Sequence, residues 1–311
     1  MLLNKILAGT SIVIILMIGF SSESHHSSTL VQSAEAAGTV SVAVGPQYDT
    51  TDVYVARQDF DRFVSSLTAT FGGTTTKQGV LTVTPTPSST TSQLVLTPVG
   101  TISVFGFKTP IPYPFDVERT GYLVKDLDAA VRAARETGAD VIVAPFNDAL
   151  GRDAIIQWPG GVNTLLYCHT TAPSYASLQS TPENRVYVSH DKADEFVRSF
   201  LAFSRGRVAS DDAHAPGVEI GRSGDTYRRA RLESQFGKVT VFITDGHLPY
   251  PYGREMTGYE VANLGDTLAK AKAAGVETLV APFTADQRIS AIVQFPGGYI
   301  AEIHSTASKA N

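Results

Sequence analysis

Apolar and polar positions alternate in short stretches along most of this chain, and at intervals the alternation gives way to a helical period. "DVYVA" at 52–56 alternates as a strand, and "DFDRFVSSLTATF" behind it puts Phe60, Phe63, Val64, Leu67 and Phe71 on one helical face. Three short strands follow, "GVLTVTP", "SQLVLTP" and "TISVFGF", separated by Pro, Gly and Ser. The pattern then starts again. "GYLV" reads as a strand, and "DLDAAVRAARETG" as a helix that buries Leu127, Ala130, Val131 and Ala134 and stops at Gly138. "DVIVAPF", "DAIIQW" and "NTLLYCH" complete another strand set. Each unit therefore reads strand–helix–three strands.

The two units are themselves written twice. "VYVARQDFDRFVSSL" at 53–67 matches "VYVSHDKADEFVRSF" at 186–200. "GTISVFGF" at 100–107 matches "GKVTVFIT" at 237–244, and the same offset carries "PIPYPFDVERTGYLV" at 110–124 to "HLPYPYGREMTGYEV" at 247–261. It also carries "AIIQWPGG" at 154–161 to "AIVQFPGG" at 291–298. The first strands match at a slightly shorter offset, which implies a small insertion in the second copy. The segment "SDDAHAPGVEIGRSGD" is expected to absorb it as a loop. The expected organisation is one domain over 46–172, a Pro/Ser/Thr-rich linker over 173–183 and a second domain over 184–308. "PIPYPF" and "LPYPYG" are read as extended connections between units, with Tyr113 and Tyr250 as rigid covers.

A 311-residue chain with 43% hydrophobic and 18% charged residues has ample material for two globular cores. Its net charge of −5 and lack of clustered Lys and Arg exclude a nucleic-acid surface. The one arginine-dense run, "TYRRARLES" at 226–234, alternates as an exposed strand face, with anion binding as the alternative. Cys168 is the only cysteine, which excludes an intrachain disulfide and a paired-cysteine metal site. At the N-terminus, "MLLNK" precedes an apolar run over 6–20, with small residues Ala34 and Ala36 downstream. Residues 1–36 thus read as a secretory signal or an uncleaved anchor, since a bilayer-spanning helix needs about 20 apolar residues. The expectation is export to the periplasm or beyond, with membrane contact only through that segment.

The phrases "TGYLVKDLDAAVRAARETGADVIVAP" and "DAIIQWPGGVNTLLY", with their counterparts "TGYEVANLGDTLAKAKAAGVETLVAP" and "SAIVQFPGGYIAEIH", resemble the vicinal oxygen chelate superfamily. Glyoxalase I, bleomycin-resistance proteins, fosfomycin-modifying enzymes and extradiol dioxygenases share its fold. The resemblance spans nearly all of the chain beyond the leader. It implies an α+β fold of four βαβββ modules, paired so that mixed sheets curl around clefts.

In metal-dependent members, His, Glu or Gln side chains on the first and last strands hold Fe, Mn, Ni or Zn. Carried onto this sequence, the first-strand positions are Asp52 and Arg119 in copy one and Arg185 and Met256 in copy two. The closing-strand positions are Leu165 and Glu302, and strand alternation puts His304 on the same face as Glu302. Arg, Leu and Met cannot ligate, so the resemblance leaves two readings. One is a metal-free protein binding a small molecule in apolar clefts lined by Tyr122, Tyr259, Tyr167 and Leu165; if the first and fourth units pair, the other cleft carries Arg119 and Arg185, suited to an anionic ligand. The other is a metal-dependent lyase, isomerase or dioxygenase in which Asp52, Glu302 and His304 converge because the first and fourth units pair.

Overall fold

The structure is a computed structural model that describes residues 41–115 and 120–307. The expected leader and Arg119 lie outside the described residues. The first unit runs β1 (Thr51–Tyr54), α1 (Phe60–Phe71), β2 (Thr74–Thr75), β3 (Gly79–Leu81), β4 (Thr90–Thr97) and β5 (Gly100–Phe107). The second runs β6 (Gly121–Leu123), α2 (Leu127–Glu136), β7 (Asp140–Asn147), β8 (Gly151–Gln157) and β9 (Asn163–His169). The third comprises β10 (Glu183–Val188), α3 (His190–Ser204), β11 (Arg207–Pro216), β12 (Thr226–Ser234) and β13 (Gly237–Ile243). The fourth comprises β14 (Met256–Glu260), α4 (Leu264–Ala273), β15 (Glu277–Ala285), β16 (Arg288–Gln294) and β17 (Ile300–Thr306). This is the α+β architecture of four βαβββ modules that the alternation predicts.

In every unit the first strand lies parallel to the last, and the remaining strands extend the sheet antiparallel beyond it. The helix that follows each first strand covers one sheet face. Two of these helices begin with a side-chain cap, Asp126 accepting from the Ala129 amide and Asn263 from the Asp266 amide, at 2.9 and 3.0 Å. The third and fourth units fuse into one eight-stranded sheet, because β10 and β14 pair antiparallel through Glu183–Arg185 and Met256–Gly258. In the first half the described residues show the same junction as a bridge between Thr51 and Thr120.

"SDDAHAPGVEIGRSGD" is not simply a loop. Ser210–Pro216 belong to the edge strand β11, and a 3-10 turn follows over Gly217–Ile220. The two register shifts in β11 accommodate extra residues within the ladder. Salt bridges from Arg228 to Asp211 and Arg229 to Asp212 tie the strand to β12.

Sheets and helix-lined cores pair the units differently. Phe63, Leu67 and Val104 of the first unit share a core with Tyr259, Phe295 and Ile303 of the fourth. Tyr122, Leu127 and Trp158 of the second share another with Phe196, Phe200 and Phe236 of the third. Each half thus forms its own cleft, while each hydrophobic core joins the two halves. Phe63 has no exposed surface and meets Phe295 and Tyr299 edge-on at 6.1 and 5.7 Å. Phe63→Ala is expected to cost about 3–5 kcal/mol. Because the core is shared, urea denaturation followed by probes in both halves is expected to show both midpoints shifting together.

Candidate functional site

Strand parity sets which side chains reach the clefts. On β6, a side-chain carbon at Gly121 would lie 3.1 Å from Asp52 Oδ2 and 3.3 Å from the Tyr167 ring. Gly121 therefore faces the cleft, and its neighbour Tyr122 points the other way, stacked on Phe236 at 4.7 Å. On β14, a side chain at Gly258 would meet Glu302 Oε2 at 2.8 Å and Arg185 Cδ at 3.0 Å. Tyr259 accordingly lies in the core, its hydroxyl 2.9 Å from that of Tyr299. Tyr122 and Tyr259, expected in the clefts, are core residues because they sit one position out of phase with the cleft-facing glycines.

The cleft of the N-terminal half has a volume of about 520 Å³ and contains Asp52, Leu165 and Tyr167 as expected, together with residues the sequence reading did not single out. Asp49 is a hub. Its carboxylate lies within hydrogen-bond distance of the hydroxyls of Tyr167 (3.0 Å), Tyr175 (3.1 Å) and Ser103 (3.0 Å), and His169 Nε2 is 4.0 Å away. Tyr175 comes from the segment read as linker, so the start of that segment serves as a wall. His169 Nδ1 is buried without a partner among the described residues. Tyr54 stacks on Phe105 at 5.3 Å, and both line the cleft with Phe115.

The charge of this cleft is one-sided. Among the described residues Asp49, Asp52, Asp148 and Asp153 line it, with Lys77 and His169. Asp148 is occupied by the amides of Leu150 and Gly151. Asp153, on β8 opposite Tyr167, has no hydrogen bond or ion pair among the described residues. Desolvation, reinforced by Asp148, Asp52 and Asp49, pushes its carboxyl well above the usual range. The cleft thus combines apolar and aromatic lining, with Leu81, Val83, Leu94 and Leu165 beside the rings, and these carboxylates.

The half-barrel of the C-terminal half is filled with ion pairs. Arg185 donates to Glu183 at 2.8 Å, lies 3.7 Å from Glu302 and covers the Phe242 ring at 4.7 Å. Arg288 donates twice to Glu183, at 3.0 and 2.9 Å. His304 Nδ1 is 2.7 Å from Glu302 Oε2. Burial opposes ionisation of both glutamates, yet Arg288 and Arg185 hold Glu183, and Arg185 and His304 hold Glu302, below the ordinary carboxylate range. Arg185, proposed from sequence as an anion ligand, is committed to these carboxylates. Arg119 lies outside the described residues.

Asp52, Glu302 and His304 do not converge. Asp52 lines the cleft between the first and second units, whereas Glu302 and His304 lie inside the half-barrel of the third and fourth, and the first and fourth units meet through a helix-lined core. The superfamily's metal also fails to fit the donor sets. Beside Glu302 a divalent ion would compete with the Arg185 guanidinium, and no group of three His, Cys, Asp or Glu able to hold a metal occurs among the described residues.

No family model matches the chain, and no curated protein matches it in sequence. Solved structures do resemble it. A variant of 4-hydroxymandelate synthase from Streptomyces coelicolor superposes with a TM-score of 0.55 at 13% identity, covering 86% of this chain and 94% of that one. A xylose isomerase-like TIM barrel/4-hydroxyphenylpyruvate dioxygenase fusion protein gives 0.54 at 13% identity, over 87% of this chain and 50% of that one. The 2,3-dioxygenase LapB from Pseudomonas sp. KL28 gives 0.50 at 10% identity, over 87% and 94%. At these identities the likeness establishes architecture, and the chain has the vicinal oxygen chelate fold.

The two halves are expected to respond oppositely to pH. Glu183 and Glu302 have lowered folded pKa values, so their stabilisation is present above the ordinary carboxylate range and is lost as pH falls through those lowered values. Asp153 has a raised one, so its ionisation destabilises the fold increasingly as pH rises past the ordinary range. Arg185→Met should cost about 3–5 kcal/mol at neutral pH by orphaning Glu302, with the loss shrinking in acid. Asp153→Asn should raise Tm at neutral pH and lose that advantage in acid. Melting curves across a pH series measure both.

Proposed function

We propose that the chain is an exported protein that binds a small organic molecule in the cleft of its N-terminal half. The ligand pairs an aromatic or apolar body with a cationic nitrogen. The supporting observation is Asp153, a carboxylate with no donor among the described residues, in a cleft that it shares with Asp49 and Asp148. A ligand cation supplies the missing counter-charge and lowers the cost of ionising Asp153. Tyr54, Phe105 and Phe115 provide ring faces for the body or edge of such a molecule. A volume of about 520 Å³ lies within the usual range of small-molecule sites.

Binding requires no metal in this reading. Asp49, held by three hydroxyls, forms a fixed wall rather than a free base, and Tyr167 stays protonated because desolvation and Asp49 push its hydroxyl well above the usual range. The comparison proteins include dioxygenases, and their activity remains theirs. Export is supported by the lysine-led apolar run over 6–20.

Calorimetric titration of the purified protein with benzylamine, benzyl alcohol and benzoate separates charge from shape. The amine is expected to bind tightest, and Asp153→Asn to weaken it about tenfold, as for loss of one charge-assisted contact, with little effect on the alcohol. Tighter binding of benzoate would overturn the reading. Elemental analysis provides an independent check: stoichiometric Fe, Mn, Ni or Zn that disappears in Glu302→Ala would restore the metal-dependent alternative.

A further inference from the structure

The arginine run in β12 brings one guanidinium that the neighbouring carboxylates of the C-terminal half-barrel approach without hydrogen-bonding. Arg229 donates to Glu219 and, at 2.6 Å, to Asp286, although its Nε is buried with no acceptor. Arg228 is engaged by Asp211 and Asp194 on the outer face. Arg231 differs. Its nearest carboxylate oxygens, on Asp286 and Glu219, are 3.7 and 3.9 Å away, beyond hydrogen-bond reach, and its Nε is buried with no acceptor. Both carboxylates are already committed, Glu219 to Arg229 and Tyr227 and Asp286 to Arg229. Desolvation, with Arg229 and Arg288 nearby, pulls the Arg231 pKa below its ordinary value, the signature of an undercompensated cation.

Arg231 lines a cavity of about 440 Å³ with Lys238, Thr240, Arg288, His304 and Thr306. The carboxylates there are occupied. Arg288 and Arg185 hold Glu183, Arg207 holds Glu233, Arg229 holds Asp286, and Lys238 lies 3.7 Å from Glu260. His304 uses Nδ1 on Glu302. The unsatisfied capacity of the cavity is therefore donor capacity, concentrated on one guanidinium whose planar fork matches two oxygens of one anion.

We propose that this cavity is a second ligand site, which binds a small oxyanion, a carboxylate or a phosphate, on Arg231. Lys238, Thr240 and Thr306 line the same cavity, able to complete the anion's shell. The site is separate from the N-terminal cleft, so it stands or falls independently of the amine reading.

The test is a titration of isotopically labelled protein with sodium acetate and, separately, sodium phosphate at constant ionic strength, followed by amide resonances. Saturable shifts are expected at Arg231, Lys238, Thr240 and Thr306 with at least one anion, and the stronger binder identifies the class. Arg231→Gln should weaken that binding about tenfold or more, while Arg132→Gln, on the exposed face of α2, and Asp153→Asn should leave it unchanged. Because Arg231 is undercompensated, Arg231→Gln should melt no lower than wild type. Absence of saturable shifts, wild-type affinity in Arg231→Gln, equal weakening in Arg132→Gln, or failure of Arg231→Gln to fold would each overturn the proposal.

Discussion

A charge taken out of water must be matched, and this molecule meets that requirement differently in its two halves. In the C-terminal half-barrel the match is internal, since Arg185, Arg229 and Arg288 are opposed by Glu183, Glu219, Glu302 and Asp286 within the interior. Such a network is rigid, and it leaves room for a ligand only where the matching is incomplete. In the N-terminal cleft hydroxyls hold Asp49 and backbone amides hold Asp148, while Asp153 has no donor among the described residues.

Sheet register makes the contrast specific. Asp52 pairs with Ser103, and Arg185 occupies the same place opposite Thr240. Leu94 lies across Ser103 from the other side, as Arg231 does across Thr240. Leu165 is beside Gly121 where Glu302 is beside Gly258, and Asp153 faces Tyr167 where Ser290 faces His304. Acid in one half corresponds to base or a neutral group in the other. The backbone glycines at the floor are common to both, because a side chain there would collide with whichever carboxylate is present.

Most of the architecture was legible from local pattern. Phe60, Phe63, Val64 and Leu67 mark a helical face without reference to anything distant, and the self-similarity of the chain implied four units. Parity was harder to read. "TGYLV" looks like a strand offering its tyrosine to a cleft, and only the contact of Gly121 with Asp52 shows that the glycine faces inward. Asp49, Asp153 and Tyr175 were missed because they precede a strand, sit mid-strand or lie in the linker, and nothing local brings them together. The segment around Ser210 misled because its Asp, Gly and Pro content signals a loop, whereas pairing with β12 and arginine partners makes it an edge strand.

Pairing of the units explains why the sequence-level metal site dissolves. Asp52, Glu302 and His304 could meet only if the first and fourth units shared a sheet, but those units join through Phe63, Tyr259 and Phe295 across their helices. With sheets pairing one way and cores the other, a polar side chain on the first unit can reach the second unit's strands but not the fourth's. Glu302 is then left buried with no exposed surface, and a cation must come from nearby strands. Arg185 provides it from β10, delivering a fixed positive charge without demanding three or four ligands at set distances. A guanidinium in that position removes the electrostatic reason for an ion, and it also holds β10 against β17, two strands separated in the sheet by β14. The interaction that closes this half-barrel is thus the same one that withdraws it from metal chemistry.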